Sequence, residues 1–298
     1  MKAKIIQLTI PGYEPDKGGT HGRSSRRGLV LIMVMWVLFF LAVGTLTVAV
    51  KTRMNIRLRT LHDEIVRMSL LVQEGGQRAV ALLAADDPSV DHLLEEWSED
   101  FSLQKDTGLL SYKVIDEERF LNVNKAAEDT LRRIRQVIPG LAAEQLQEIL
   151  AARPFNVLRE VMDRAGIPPE FFDGDTATDR LGVRDIATVC SGGTININTA
   201  SREVLLLVPD MNEAAADSVL GRRSGEPFAK KEALSEELSR LGLTPAQVAS
   251  LTKYTSVTST CFRISAVAVS SRKHVRRTME MVVRREGKTI TVLSYRES

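Results

Sequence analysis

Residues 29–50 read LVLIMVMWVLFFLAVGTLTVAV, twenty-two residues without a charge, opened by Arg26-Arg27-Gly28 and closed by Lys51 and Arg53. At about 1.5 Å per residue, a helix of this length spans roughly 33 Å, enough to cross a hydrocarbon core about 30 Å thick. A buried core helix seldom runs so long without a polar face. A secretory signal has a shorter apolar region, about 7–15 residues, that ends at a small-x-small cleavage site, and none ends this run. The stretch is therefore read as a membrane-spanning helix. Its orientation is left open by charge alone, because Lys51, Arg53, Arg57 and Arg59 follow it as closely as the arginine pair precedes it.

The charge distribution sharpens this division. The 298 residues carry 40 basic and 38 acidic groups, a net +2. Six basic and two acidic residues precede Lys51, so that part is +4 and the remainder −2. The body lacks the excess of positive charge expected of a dedicated nucleic-acid binder. At 5% aromatic content it is also poor in platforms for stacking single strands.

The junction Arg26-Arg27-Gly28-Leu29 resembles the site cut by prepilin peptidase on the cytoplasmic side, between Gly28 and Leu29. Such a cut removes the basic leader and keeps the apolar helix as the new N-terminus. In pilins and most pseudopilins the fifth residue after the cut is Glu; here it is Met33.

Beyond the span, apolar residues continue at helical spacing through Ile56, Leu58, Leu61, Ile65, Met68, Leu71, Val72, Val80, Leu82 and Leu83, predicting an amphipathic extension that ends at Asp86-Asp87-Pro88. Gly75-Gly76 is expected to weaken or kink it. A short acidic helix is predicted over 90–101 and a strand over 109–115. The segments 262–269 (FRISAVAV), 279–284 (MEMVVR) and 289–294 (TITVLS) predict an antiparallel meander.

Between these strands lies an internal near-repeat. LNVNKA at 121–126 is echoed by ININTA at 195–200, offset by 74 residues, and a helix, a proline turn (Pro139-Gly140 or Pro209-Asp210) and a second helix follow each. Asn124 and Asn198 are expected to cap the first helix of each copy, and Asn122 and Asn196 to close the turn before it. The two units resemble helix-hairpin-helix modules, which bind DNA phosphates through backbone N–H groups at a glycine hairpin. The first hairpin has one glycine of the two expected; the second has none and carries Asp210.

Few constellations carry chemistry. Asp173, Asp175 and Asp179 crowd one acidic loop, but Thr178 and Arg184 stand where an EF-hand would place Gly and Glu. The loop is either solvated or part of a calcium site closed by distant ligands. Cys190 and Cys261 are either a structural disulfide or two buried thiols. No Walker loop, Ser-x-x-Lys or His-Glu-x-x-His stands out, and the four histidines lack metal-ligand spacing.

Taken together, the Arg-Gly junction without the usual Glu, the helical spine, the LNVNKA and SGGTININTASREVLLLVPDMNE segments and the FRISAVAV meander resemble the family of type II secretion system protein K, the large minor pseudopilin. The resemblance implies an α+β, pilin-like fold in which a long N-terminal helix packs on an antiparallel sheet carrying a large helical insert. The implied division is leader 1–28, transmembrane helix 29–50, helix continuation 51–87, start of the pilin-like domain 88–120, insert 121–254 and meander 255–298. It implies a non-enzymatic role at the tip of the periplasmic pseudopilus, in a protein spanning the bacterial inner membrane once with its N-terminus cytoplasmic. Partners would be the minor pseudopilins I and J, the inner-membrane assembly platform and prepilin peptidase. Members of the family bind calcium, which makes Asp173, Asp175 and Asp179 the candidate ligands. Two other readings are a membrane-anchored DNA-uptake protein using the hairpin units and a minor pilin of a type IV pilus.

Overall fold

The computed structural model describes residues 24–175, 177–178, 180–272 and 275–298; the expected leader up to residue 23 and the candidate ligand Asp179 lie outside them. The chain divides into two units, 1–60 and 61–298. Helix α1, Ser24–Ala85, begins in the first. Its apolar stretch is exposed along its whole length, with Leu29 at 72% and Phe40 at 65%. Trp36 stacks on Phe40 with ring centroids 5.7 Å apart. The hydroxyls of Thr45 and Thr47 donate to the carbonyls of Ala42 and Val43 at 2.9 and 2.7 Å, so both polar side chains are satisfied within the helix, as a segment in lipid requires.

In the second unit, α1 presents Met68, Leu71, Val72, Ala79 and Leu83 to a core shared with the sheet. The spacing is that of one helix face. Gly75-Gly76 does not interrupt the helix, contrary to the expectation of a kink. A Cβ at Gly75 would lie 2.9 Å from Leu110, and one at Gly76 would collide with the end of Met279. The glycines allow helix and sheet to approach, and packing outweighs their low helix propensity.

Strands β1 (Phe101–Lys105) and β2 (Gly108–Asp116) form a hairpin. No helix forms over 90–101 beyond a 3-10 turn at Glu96–Ser98, which seats Trp97 edge-on against Phe262. Anchoring this one indole in the core takes the place of the predicted acidic helix.

After β2 comes a 3-10 turn, Glu117–Arg119, and then the first repeat. It comprises β3 (Leu121–Asn122), α2 (Glu128–Arg132), α3 (Ile134–Val137), α4 (Ala143–Ala152), α5 (Leu158–Ala165), α6 (Pro169–Phe172), α7 (Val183–Ile186) and β4 (Ala187–Thr188). The second comprises β5 (Ile195–Asn196), α8 (Arg202–Leu207), α9 (Glu213–Arg223), α10 (Lys231–Arg240), α11 (Pro245–Tyr254) and β6 (Thr255–Ser256). In each copy the opening and closing strands pair in parallel.

The repeat extends further than its asparagine signature. Pro154-Phe155 answers Pro227-Phe228, and Gly166-Ile167-Pro168-Pro169 answers Gly242-Leu243-Thr244-Pro245. Both glycines take left-handed conformations, φ 61° and 80°, at the ends of α5 and α10. The acidic loop is peculiar to the first copy, inserted between α6 and α7. The two copies share one apolar core separate from that of helix and sheet.

The chain closes with β7 (Cys261–Ser270), β8 (Arg276–Glu286) and β9 (Thr289–Glu297), completing an antiparallel sheet of order β1-β2-β7-β8-β9. Both repeats are therefore an insertion between β2 and β7, which are adjacent in the sheet.

Candidate functional site

Two strands end by delivering charge to the boundary between the cores. In β2 the inward positions run Leu110, Tyr112, Val114, Asp116; in β8 they run Met279, Met281, Val283, Arg285. The strand period of two forces Asp116 and Arg285 inside. Asp116 accepts from Glu118 N at 2.8 Å, Asn196 Nδ2 at 3.2 Å, Thr199 Oγ1 at 2.5 Å and Ser259 Oγ at 2.7 Å. Burial, reinforced by the charge of Glu118, raises its carboxyl to about 8, so the neutral form is favoured.

The two residues that follow are also buried and engaged. Glu117 binds Thr188 of β4 and accepts from Arg263 Nε at 2.6 Å. Glu118 accepts from Gly192 N at 3.0 Å, Thr260 N at 3.2 Å and Cys261 N at 3.1 Å. One tripeptide thus ties together the end of the first repeat, the start of the second and the return to the sheet. Arg285 binds Asp91 and bonds Asp86 at 2.8 Å, with its guanidinium 4.8 Å from the Phe262 ring centroid. Burial pushes Asp91 up to about 7 against the pull of Arg285.

The repeat asparagines divide their work differently from the expectation. Asn122 and Asn196 do close the turns, accepting from Asn124 N at 2.9 Å and Asn198 N at 3.0 Å. Asn124 and Asn198, however, do not cap the helices. Asn198 bonds both backbone groups of Phe228, donating to its carbonyl at 3.0 Å and accepting from its N–H at 2.9 Å. Asn124 does the same to Phe155, at 2.9 and 2.8 Å. A helix cap satisfies one orphan donor, whereas these clamps satisfy a donor and an acceptor in a buried segment. Ser201 supplies the cap of α8 instead.

The remaining predicted residues are dispersed. Gly28, Leu29 and Met33 lie in α1, with Leu29 and Met33 exposed. Asp173 pairs with Arg184 at 2.9 Å, and Asp175 accepts from Ala177 N and Thr178 Oγ1 at 2.9 and 2.8 Å, so the protein itself engages both carboxylates. Among the described residues, the acidic side chains that do converge are Asp86, Asp91 and Glu95, two of them held by Arg285. Cys190 and Cys261 are joined as a disulfide, their Cα atoms 6.6 Å apart and 71 residues apart in sequence. It staples the segment between the repeats to the first residue of β7. At the hairpins, a Cβ on Gly140 would collide with the ring of Phe171, and Asp210 takes the left-handed conformation, φ 66°.

Residues 195–254, nearly all of the second repeat, match the family described as type II secretion system (T2SS), protein K. Among solved structures, a chain of the GspK-GspI-GspJ complex from the enterotoxigenic Escherichia coli type 2 secretion system matches with a TM-score of 0.62 at 13% identity. The match covers 82% of this chain and 99% of that one, and at such identity it shows the fold. No curated protein matches the sequence. The family segment occupies one of the two repeats, and the likeness of fold to the solved chain extends well beyond it.

Proposed function

We propose that this protein is a minor pseudopilin of the type II secretion system, working by assembly and not by catalysis. The observation that carries this reading is the protein K segment at 195–254 set in an insertion between two adjacent strands of a sheet that packs on a helix. The apolar helix over 29–50 is a single-pass membrane anchor by length and composition. In the proposed life cycle, prepilin peptidase cuts between Gly28 and Leu29, the inner membrane holds the helix, and residues beyond it face the periplasm. The solved complex joins GspK with GspI and GspJ; the corresponding partners here are the I and J minor pseudopilins.

Met33 has a physical rationale in this setting. A subunit at the tip of a filament has no neighbour above it whose terminal amine needs a carboxylate, and an unpaired carboxylate in lipid is expensive. The insert gives the same subunit a bulky end that hinders further stacking. N-terminal sequencing of protein extracted from membranes tests the processing step: a mature start at Leu29 is expected, and an intact leader refutes it. Co-purification with the I and J subunits tests assembly, and no complex at any salt concentration refutes that part. Calcium binding belongs to the same proposal; calorimetric titration with calcium is expected to give saturable heat that Asp173→Asn and Asp175→Asn reduce.

A further inference from the structure

Just past its apolar run, α1 carries Lys51, Arg53, Arg57 and Arg59, four cations within nine residues. All four are exposed, and among the described residues none enters an ion pair. Further along the same helix, Arg78 pairs with Glu74, four residues back, at 2.8 Å. The four cations lack such a partner behind them, because no acidic side chain occurs from Leu29 to His62; the first are Asp63 and Glu64. Residues 51–62 therefore carry +4.

Their placement around the helix matters as much as their number. At about 100° per residue, Lys51 and Arg59 project about 80° apart and Arg53 and Arg57 about 40° apart, and the two pairs point in opposite directions. The cations thus ring the helix. A protein partner meets a helix along one side, whereas lipid headgroups surround it. Along the axis the ring begins where the apolar run ends and reaches about 14 Å beyond Val50. The headgroup layer adds roughly 5–7 Å to each side of the hydrocarbon core, and long cationic stems bridge the remainder by leaning towards it. Met54, Ile56 and Leu58, set between the cations, are 54%, 59% and 52% exposed. A membrane interface accommodates this mixture of apolar and cationic side chains.

We propose that Lys51, Arg53, Arg57 and Arg59 form a collar that binds the phosphates of anionic phospholipids and gathers these lipids around the end of the membrane helix. The guanidinium fork matches paired phosphate oxygens, and three of the four cations are arginines. In a zwitterionic lipid the phosphate is neutralised by its own ammonium group; an anionic lipid leaves it a net charge for the collar to meet. Each cation near an anionic surface strengthens association about fivefold. The inference rests on residues 29–50 being a membrane anchor, and on neither the peptidase cut nor the identity of the partners.

The test reconstitutes the full chain into phosphatidylcholine vesicles holding a trace of spin-labelled phosphatidylglycerol or, separately, spin-labelled phosphatidylcholine. Electron paramagnetic resonance then measures how much of each label the protein immobilises. Wild type is expected to favour phosphatidylglycerol by about threefold or more, and the preference should vanish in 1 M salt, where the Debye length is about 3 Å. Replacing all four cations (K51Q, R53Q, R57Q and R59Q together) should abolish it, and replacing either opposed pair should reduce it in part. Arg132→Gln, which removes an exposed pair with Glu128 in the insert, should leave it unchanged. Equal association of both lipids with wild type overturns the proposal and assigns the collar to an acidic protein surface instead. A preference that survives the fourfold replacement, or that one pair carries alone, overturns it as well. Alkaline carbonate extraction of the same vesicles separates the two readings. Protein that washes out refutes the anchor and the collar together, whereas protein that stays without a lipid preference refutes the collar alone.

Discussion

Replacing Asn198 with Ala removes the two hydrogen bonds that clamp Phe228, at 3.0 and 2.9 Å. Asn198 is 2% exposed and Phe228 is fully buried, so water does not reach the carbonyl and N–H left behind. Each orphaned backbone group costs about 1–3 kcal/mol, giving about 2–6 kcal/mol for the pair. Asn124→Ala breaks the equivalent bonds to Phe155 at a site that is only partly buried, and solvent there replaces part of what is lost. A cost of about 1–3 kcal/mol is expected. The assay is urea unfolding of residues 61–298 with each substitution. The midpoint should fall further for Asn198→Ala than for Asn124→Ala, with the slope unchanged, since a similar surface is exposed on unfolding. A loss below about 0.5 kcal/mol for Asn198→Ala, or a larger loss for Asn124→Ala, would refute the clamp as a load carried by burial.

Three further outcomes are expected. Asp116 is raised above its ordinary carboxylate value, so the folded form holds a proton that the unfolded chain releases near pH 4; its contribution to stability is complete below that pH and is lost as pH rises through about 8. Asp116→Asn should therefore flatten the decline in melting temperature between pH 5 and 8, and an unchanged slope would count against the assignment. Reduction of Cys190–Cys261, which closes a span of 71 residues, should lower stability by about 2–5 kcal/mol in thermal unfolding with and without dithiothreitol, whereas equal melting temperatures would mean that the staple is dispensable. Gly75→Ala should destabilise by about 1–3 kcal/mol because Leu110 is fully buried, while Gly76→Ala should be closer to neutral because the flexible end of Met279 can move; the reverse order in denaturant unfolding would contradict the close-approach role.

The features legible in the chain were those written as local patterns. A charge-free run of twenty-two residues reads as a helix that crosses a membrane, and the alternation in FRISAVAV places Phe262, Ile264, Ala266 and Ala268 on one face, where the structure buries them. The offset echo of LNVNKA marked the duplication, although the second signature, Pro-Phe followed by Gly-x-x-Pro, was needed to define each copy in full. The inward position of Asp116 could have been inferred from the same alternation that gave β2, because it follows Val114 by two residues.

What the sequence by itself determined was the division into an apolar helix, a sheet and a duplicated helical insert, since periodicity and charge act over neighbouring residues. The tertiary structure alone decided where the polar side chains are spent. Asp91 reaches Arg285 across 194 residues, Glu118 reaches Cys261 across 143, and Asn198 turns from the helix after it to the backbone of Phe228, 30 residues on. A side-chain hydrogen bond is chosen by what burial leaves unsatisfied nearby, and that is settled only when distant segments pack together.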